Sequence, residues 1–278
     1  MSPKNYLMFI VGLVVGLVIL GASNELIMKF SGEQQNQMID IAPLSSTGNS
    51  VISSKLYHGH GNYNLKLPKA SSWSQYGQDI YITKLLNGRR GGFFVEIGGY
   101  DGQSLSNTIL LEKQYNWTGL LIEANTDLFP LMKKTDRNCY MINCCIGEEG
   151  SNMTFIIADV LSSSYKTLTD RHKNRIAMVN RKGTKDMNVV CHSLQNIMNQ
   201  IGQTRIDYFS LDVEGAELFI LNSIDWKSLY IDVFTIETDQ HRNEIIAFME
   251  NHGYVRIAKL RGDDVFRRKD QITVTPST

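Results

Sequence analysis

The sequence predicts an α/β fold, a mostly parallel, doubly wound sheet of Rossmann type, preceded by a single N-terminal transmembrane helix. Three observations carry this expectation. Strand-like and helix-like patterns alternate from about residue 73 onward, which places helices on both faces of one sheet. A glycine-rich segment, Glu96-Ile97-Gly98-Gly99-Tyr100-Asp101-Gly102, closes the first strongly apolar run. Residues 6–22 carry no charge and are almost wholly aliphatic.

Residues 1–5 are a short tail, and residues 6–22 read as a signal-anchor. As a helix that run covers roughly 26 Å, close to the ~27 Å apolar core of an endoplasmic-reticulum bilayer. A cleaved signal peptide is the competing reading, because Lys4 gives a basic start and Gly21-Ala22-Ser23 are small. The run exceeds the usual ~7–15 residues of such a segment, and no clear cleavage site follows. Lys4 before the span, against Glu25 and Lys29 after it, favours a cytosolic N-terminus and a luminal domain. The sequons Asn116-Trp117-Thr118 and Asn152-Met153-Thr154 are compatible with that orientation. Residues 23–72 are rich in Ser, Gly, Asn and Gln and read as a stem. His58 and His60 lie there without a third ligand nearby, and no metal site is expected anywhere in the chain.

Composition narrows the function. Lys plus Arg number 28 and Asp plus Glu number 28, so the balance does not favour nucleic acid as a partner. Cys139, Cys144, Cys145 and Cys191 lack zinc-site spacing. They read as small core residues, with a luminal disulfide as the alternative.

The domain is expected over residues 73–262, with 263–278 as a C-terminal tail. Its strands read as 93–97, 118–123, 139–146, 151–157, 187–191, 206–212, 231–237 and 254–259. Helices read as 105–114, 127–134, 194–201, 216–222 and 242–251, and 159–186 reads as an inserted loop with a helical stretch. In such a sheet ligands bind beyond the carboxyl ends of the strands, so polar residues at strand ends are the candidates.

Glu96, Gly98, Gly99, Asp101 and Gly102 form the first group. Gly98 and Gly102 let the backbone turn sharply and approach a ligand, and the loop is expected to feed a helix from near Ser104. Tyr100 stands where a dinucleotide fingerprint needs its second glycine, so a cofactor without phosphates fits better. Glu123 ends the next strand, 21 residues beyond Gly102, where an acid can accept both hydroxyls of a ribose. Asp212 ends a third apolar strand, and Glu214 enters the turn after it. These two carboxylates are the candidate catalytic groups, as base or as substrate positioner, with His192 and His241 behind them.

Several of these segments together resemble the FkbM-type methyltransferases, and within them the Star-like, membrane-anchored animal branch. The resemblance runs from about Trp73 to Lys259. It is carried by Ser74-Gln75-Tyr76-Gly77-Gln78-Asp79, by Phe94 to Gly102, and by Leu105-Ser106-Asn107-Thr108. It continues through Trp117 to Ala124, Cys191 to Leu194 and, longest, Ile206 to Glu217.

The resemblance implies a Rossmann-like methyltransferase fold with S-adenosyl-L-methionine as cofactor. Glu96, Gly98 and Gly102 would line its methionine and ribose end, Glu123 would take the ribose hydroxyls, and Asp212 and Glu214 would face substrate. The implied activity is O-methyl transfer to a sugar, glycan or other small hydroxyl acceptor. The branch also implies a type II membrane protein of the endoplasmic reticulum, Golgi and endosomes, held to the lipid bilayer by residues 6–22. A second reading stays open: an inactive module assisting the trafficking of client proteins such as growth-factor precursors.

Overall fold

The computed structural model describes residue 52 and residues 55–66, 71–159, 161–179 and 183–272. The anchor expected at 6–22 lies outside the described residues. Among those described, no helix is long and apolar enough to cross a membrane.

In chain order the elements are β1 (Tyr57–His58), α1 (Gln78–Leu85), β2 (Phe93–Ile97), α2 (Ile109–Tyr115), β3 (Thr118–Glu123) and α3 (Phe129–Lys134). There follow β4 (Tyr140–Asn143), β5 (Cys145–Ile146), β6 (Asn152–Ile157), β7 (Ser163–Ser164), α4 (Asp170–Val179), β8 (Lys185–His192) and α5 (Leu194–Ile201). The remainder is β9 (Arg205–Leu211), α6 (Glu217–Ser223), β10 (Tyr230–Glu237), α7 (Arg242–Asn251), β11 (Tyr254–Leu260) and β12 (Asp263–Arg268).

The main sheet has the order β1-β4-β3-β2-β9-β10-β12-β11. Strands β4, β3, β2, β9 and β10 run parallel, and β12 lies antiparallel between β10 and β11. Successive residues of the parallel strands point to opposite faces, and both faces are covered. Phe94, Leu121, Met141, Tyr208 and Val233 pack with Ile82 of α1, Leu111 of α2 and Met132 of α3. Val95, Leu120, Ile142, Phe209 and Phe234 pack with Ile197 of α5, Leu221 of α6 and Ile245 of α7. Burial on both faces is why these strands read as mostly apolar runs without strict alternation. From β2 the chain steps outward through β3 and β4, then returns to the other side of β2 with β9 and β10. The order therefore reverses between β2 and β9, the position at which open α/β sheets leave a crevice.

The inserted segment builds a second sheet, β5-β8-β6-β7, and α4. The run 139–146, expected as one strand, is divided: it leaves the main sheet after Asn143, and Cys145 begins β5 in the second sheet. Cys145 pairs in register with Cys191 of β8, and the two form a disulfide across a sequence separation of 46. This corrects the reading of these two as free core cysteines, because parallel pairing brings their Cα atoms to 4.3 Å, close enough to bridge. Cys139 and Cys144 remain free and buried.

Both domain boundaries also shift. Residues 52 and 55–66, expected in the stem, belong to the fold: Ile52 is fully buried and β1 pairs antiparallel with β4. Asp136 secures this stretch by accepting from the backbone N–H of His60 at 2.7 Å and from its ring Nδ1 at 3.0 Å. Residues 263–268, expected as tail, are β12, with Val265 and Phe266 fully buried. Its charged residues concealed it, since Asp264 is buried against Arg242 and Arg256.

Candidate functional site

The carboxyl ends of β2, β3, β9 and β10 open into one cavity of about 240 Å³. Gly98, directly after β2, has φ +87°, and a Cβ there would lie 1.9 Å from the Asp212 carbonyl oxygen. Only glycine lets the ends of β2 and β9 come this close. Glu123 closes β3 with one oxygen accepting from the Tyr100 N–H at 2.8 Å and the other from the Asn125 N–H at 2.7 Å. Burial pushes its pKa up to about 7, against the lowering effect of those N–H groups.

Glu96, four per cent exposed, anchors the loop. It accepts from Ser106 Oγ at 2.9 Å and the Asn107 N–H at 2.8 Å, and also from Thr108 Oγ1. Arg137, fully buried, holds the same loop from the other side through the Gly102 carbonyl at 2.9 Å, Thr108 Oγ1 at 2.8 Å and the Glu112 carboxylate at 2.8 Å. These contacts delay the following helix. It begins at Ile109 instead of near Ser104, and the Ser104 and Asn107 N–H groups are already taken by Asp101 and Glu96.

Of the candidate residues, Glu96, Gly98, Glu123, Asp212 and Glu214 line the cavity together. Gly99, Asp101 and Gly102 do not. A Cβ on Gly99 or Gly102 would meet Met132 of α3 at 2.8 or 2.9 Å, so these two glycines serve helix packing. Asp101 spends its carboxylate on the N–H groups of Gln103 and Ser104. His192 is buried against Glu149 at 2.6 Å and His241 is exposed at the start of α7; neither reaches the cavity.

The lining is strongly acidic. Glu96, Glu123, Asp159 and Asp212 contribute, as do Glu214, Glu237, Asp239 and Asp263, while Arg175 is the one Lys or Arg among the described residues that line it. Burial and then the neighbouring Asp263, Glu214 and Glu217 push the Asp212 carboxyl well above the usual range. Glu237 is pushed up to about 11 by burial and by Asp212, Glu217 and Glu214. Glu214 reaches about 7, raised by burial and held back by Arg175.

The inserted segment forms one wall of the cavity through Met153, Phe155, Ile157, Asp159 and Ser162. The inserted segment is latched to Glu214: Arg175 of α4 pairs with its carboxylate at 3.0 Å, and Ser163 Oγ of β7 donates to its carbonyl at 2.9 Å. Tyr100 ties the glycine loop to the same wall by donating its hydroxyl to Asp159.

Glu237, Asp263, Asn107 and Arg175 complete the site and were not singled out in the sequence. Glu237 carried the same signal as Glu123, an acid ending an apolar parallel strand. Asp263 needed the hairpin β11–β12 and its hydrogen bond from Gln78 Nε2 at 2.7 Å, across 185 residues of chain. No local pattern marks Arg175.

The Methyltransferase FkbM domain model matches residues 96–256. No curated protein matches the chain in sequence. Among solved structures it is similar to a precorrin-6y C5,15-methyltransferase from Geobacter metallireducens, at 13% identity and a TM-score of 0.38, over 75% of this chain and 95% of that one. It is also similar to a TehB-like SAM-dependent methyltransferase from Corynebacterium glutamicum, at 12% identity and a TM-score of 0.37, over 70% of this chain and 89% of that one. With the glycine loop, Glu123 and the Asp212–Glu214 turn all inside the matched span, the chain belongs to the FkbM methyltransferase domain family.

Proposed function

We propose that this chain is a membrane-anchored, S-adenosylmethionine-dependent O-methyltransferase of the Star-like branch, acting in the secretory lumen on a sugar or other small hydroxyl acceptor. One observation carries the reading: Gly98, Glu123 and Asp212, from three different strand ends, line one cavity whose charge is almost entirely acidic. That lining repels phosphates and suits a cofactor with a sulfonium cation. S-adenosylmethionine supplies an electrophilic methyl group for which an acceptor oxygen is the nucleophile.

The chain's own residues divide the remaining work. Backbone N–H groups hold the Glu123 carboxylate, Tyr100 on one oxygen and Asn125 on the other, and its remaining acceptor capacity is turned to the ribose hydroxyls. Glu96 and Arg137 hold the glycine loop in place and spend their hydrogen bonds within the protein. Asp212 and Glu214 orient the acceptor hydroxyl and take its proton; Glu214, with a pKa of about 7, exchanges protons readily near neutrality. The wall made by the inserted segment limits water access, so the acceptor is positioned in a site of lowered dielectric.

Three features support a luminal setting: the charge-free run at 6–22, the Cys145–Cys191 disulfide, and exposed Asn116 and Asn152 in their sequons. The deciding experiment is calorimetry of the purified full chain with S-adenosylmethionine, followed by transfer of labelled methyl to a panel of sugars. Saturable heat that Glu123→Ala abolishes is the expected result. A flat titration with correctly folded chain removes the enzyme and leaves the trafficking module. Glycosidase digestion checks the lumen, where a drop in apparent mass is expected.

A further inference from the structure

We infer that the acceptor is an anionic sugar, carrying a carboxylate or sulfate near its reacting hydroxyl, and that Arg171, Arg175 and Arg261 at the cavity mouth select it; this substrate class rests on the methyltransferase reading of the site. Charge is separated across that site. Lys plus Arg equal Asp plus Glu over the whole chain, yet residues 161–186 carry seven Lys or Arg against Asp170 and Asp186. The same stretch supplies Ser162 and Arg175 to the wall of a cavity whose remaining charges are acidic. An anionic acceptor would be repelled by that interior, and a basic wall offsets the repulsion at the point of entry.

The three arginines come from two separate segments, and all are exposed. Arg171 and Arg175 stand four residues apart on α4, so they share one face of the helix. Arg175 lines the cavity, and Arg171 donates to the main-chain oxygen of Asp239, itself a lining residue, at 3.5 Å. Arg261 lies in the turn between β11 and β12, beside the lining residue Gly262. Its guanidinium carbon is 5.2 Å from the centre of the Tyr76 ring, and Tyr76 also lines the cavity.

Neither Arg171 nor Arg261 has a carboxylate within ion-pairing distance among the described residues, whereas Arg175 pairs with Glu214. A guanidinium without an internal partner is a forked donor ready for a carboxylate or sulfate. Arg261 also holds φ 56°, in the left-handed region where glycine or asparagine is the ordinary occupant. The turn thus keeps an arginine at a conformational cost, and the Tyr76 ring orients its guanidinium beside the mouth.

The full chain is titrated by calorimetry with a tetrasaccharide containing glucuronate, with its carboxyl-reduced neutral form, and with a sulfated derivative of the neutral form. At least one charged form is expected to bind about tenfold tighter than the neutral one, with a preference that shrinks as salt rises. Which charged form does so tells carboxylate from sulfate. Arg171→Gln and Arg261→Asn are each expected to weaken that binding about fivefold and to leave S-adenosylmethionine binding unchanged. Asparagine suits a left-handed backbone, so the melting midpoint of Arg261→Asn is expected to hold, which separates lost recognition from lost folding. Equal affinity for charged and neutral forms, or a preference that both variants keep, overturns the proposal. A matching loss of S-adenosylmethionine affinity also overturns it, because the arginines would then serve the cofactor's own carboxylate. Binding to phosphatidylserine vesicles with none to the charged sugars overturns it as well. S-adenosylmethionine binding without a charge preference sinks the anionic acceptor alone. Charged-sugar binding without S-adenosylmethionine binding sinks the cofactor reading alone.

Discussion

Truncating Glu123 to alanine removes both acceptors assigned to the ribose hydroxyls. A hydrogen bond to a charged group contributes roughly 1.5–3 kcal/mol, so two such bonds amount to about 3–6 kcal/mol, or about two to four powers of ten in affinity. The same carboxylate sets a pH dependence. Its pKa of about 7 in the free chain means that a ligand preferring the ionised form must displace a proton below neutrality. Affinity is then expected to fall about tenfold between pH 8 and pH 6. Calorimetry in two buffers of different ionisation enthalpy measures the proton released on binding at pH 6. Glu214 also titrates near 7, so the assignment depends on comparing Glu123→Gln with Glu214→Gln. Only the former is expected to abolish both the affinity and its slope. An affinity that is flat from pH 6 to pH 8, or a Glu123→Ala chain that binds within threefold of the original, refutes the assignment.

Gly98→Ala is expected to destabilise the fold by more than about 3 kcal/mol, since a Cβ would meet the Asp212 carbonyl and the backbone is left-handed there; chemical denaturation checks it. Replacing Arg137 by Met leaves Glu112 buried without its partner and is expected to cost about 3–5 kcal/mol, read in the same assay. Reducing Cys145–Cys191 is expected to lower stability by about 3–4 kcal/mol, judged by the size of the loop it closes. Intact-mass analysis with thermal melting, with and without reductant, measures that loss. Glu123 has a folded pKa raised above the ordinary carboxylate value, so its contribution to stability is complete at low pH and is lost as pH rises through about 7. The melting midpoint of the chain is accordingly expected to fall from pH 6.5 to pH 8, and to fall less in Glu123→Gln.

The elements that could be read from the chain are those whose signal is local. Helix α5 has its expected bounds because Ser193 caps it, accepting from the Asn196 N–H at 3.2 Å, and Gly202 ends it with φ 75°. Strands β2, β3, β9 and β10 are predominantly apolar, since each is covered on both sides, and their charged residues are few. Reading fails where a distant partner decides. The late start of α2 follows from Glu96 holding residues 106–108, and the break after Asn143 follows from β5 joining a different sheet. Strand β12 places a charged residue in the interior only because Arg242 and Arg256 come from α7 and β11. The site was half legible for the same reason. Strand-end acids show themselves in order along the chain, whereas Arg175 and Asn107 gain meaning only from what folds against them.

Strand β12 also constrains the order in which the domain is made. It is nearly the last described segment, yet it is threaded between β10 and β11, and its first residue forms part of the cavity wall and receives the Gln78 side chain. During synthesis β2, β3 and β9 emerge long before this closing piece, so a nascent chain carries most of the cavity's lining before the piece that closes it has been made. A chain released before Arg268 has an open β10 edge with unpaired backbone groups, a template for wrong pairing. The hollow therefore does not exist until β12 has been made and paired, and a chain truncated before it is expected to yield aggregate instead of a partly working fold.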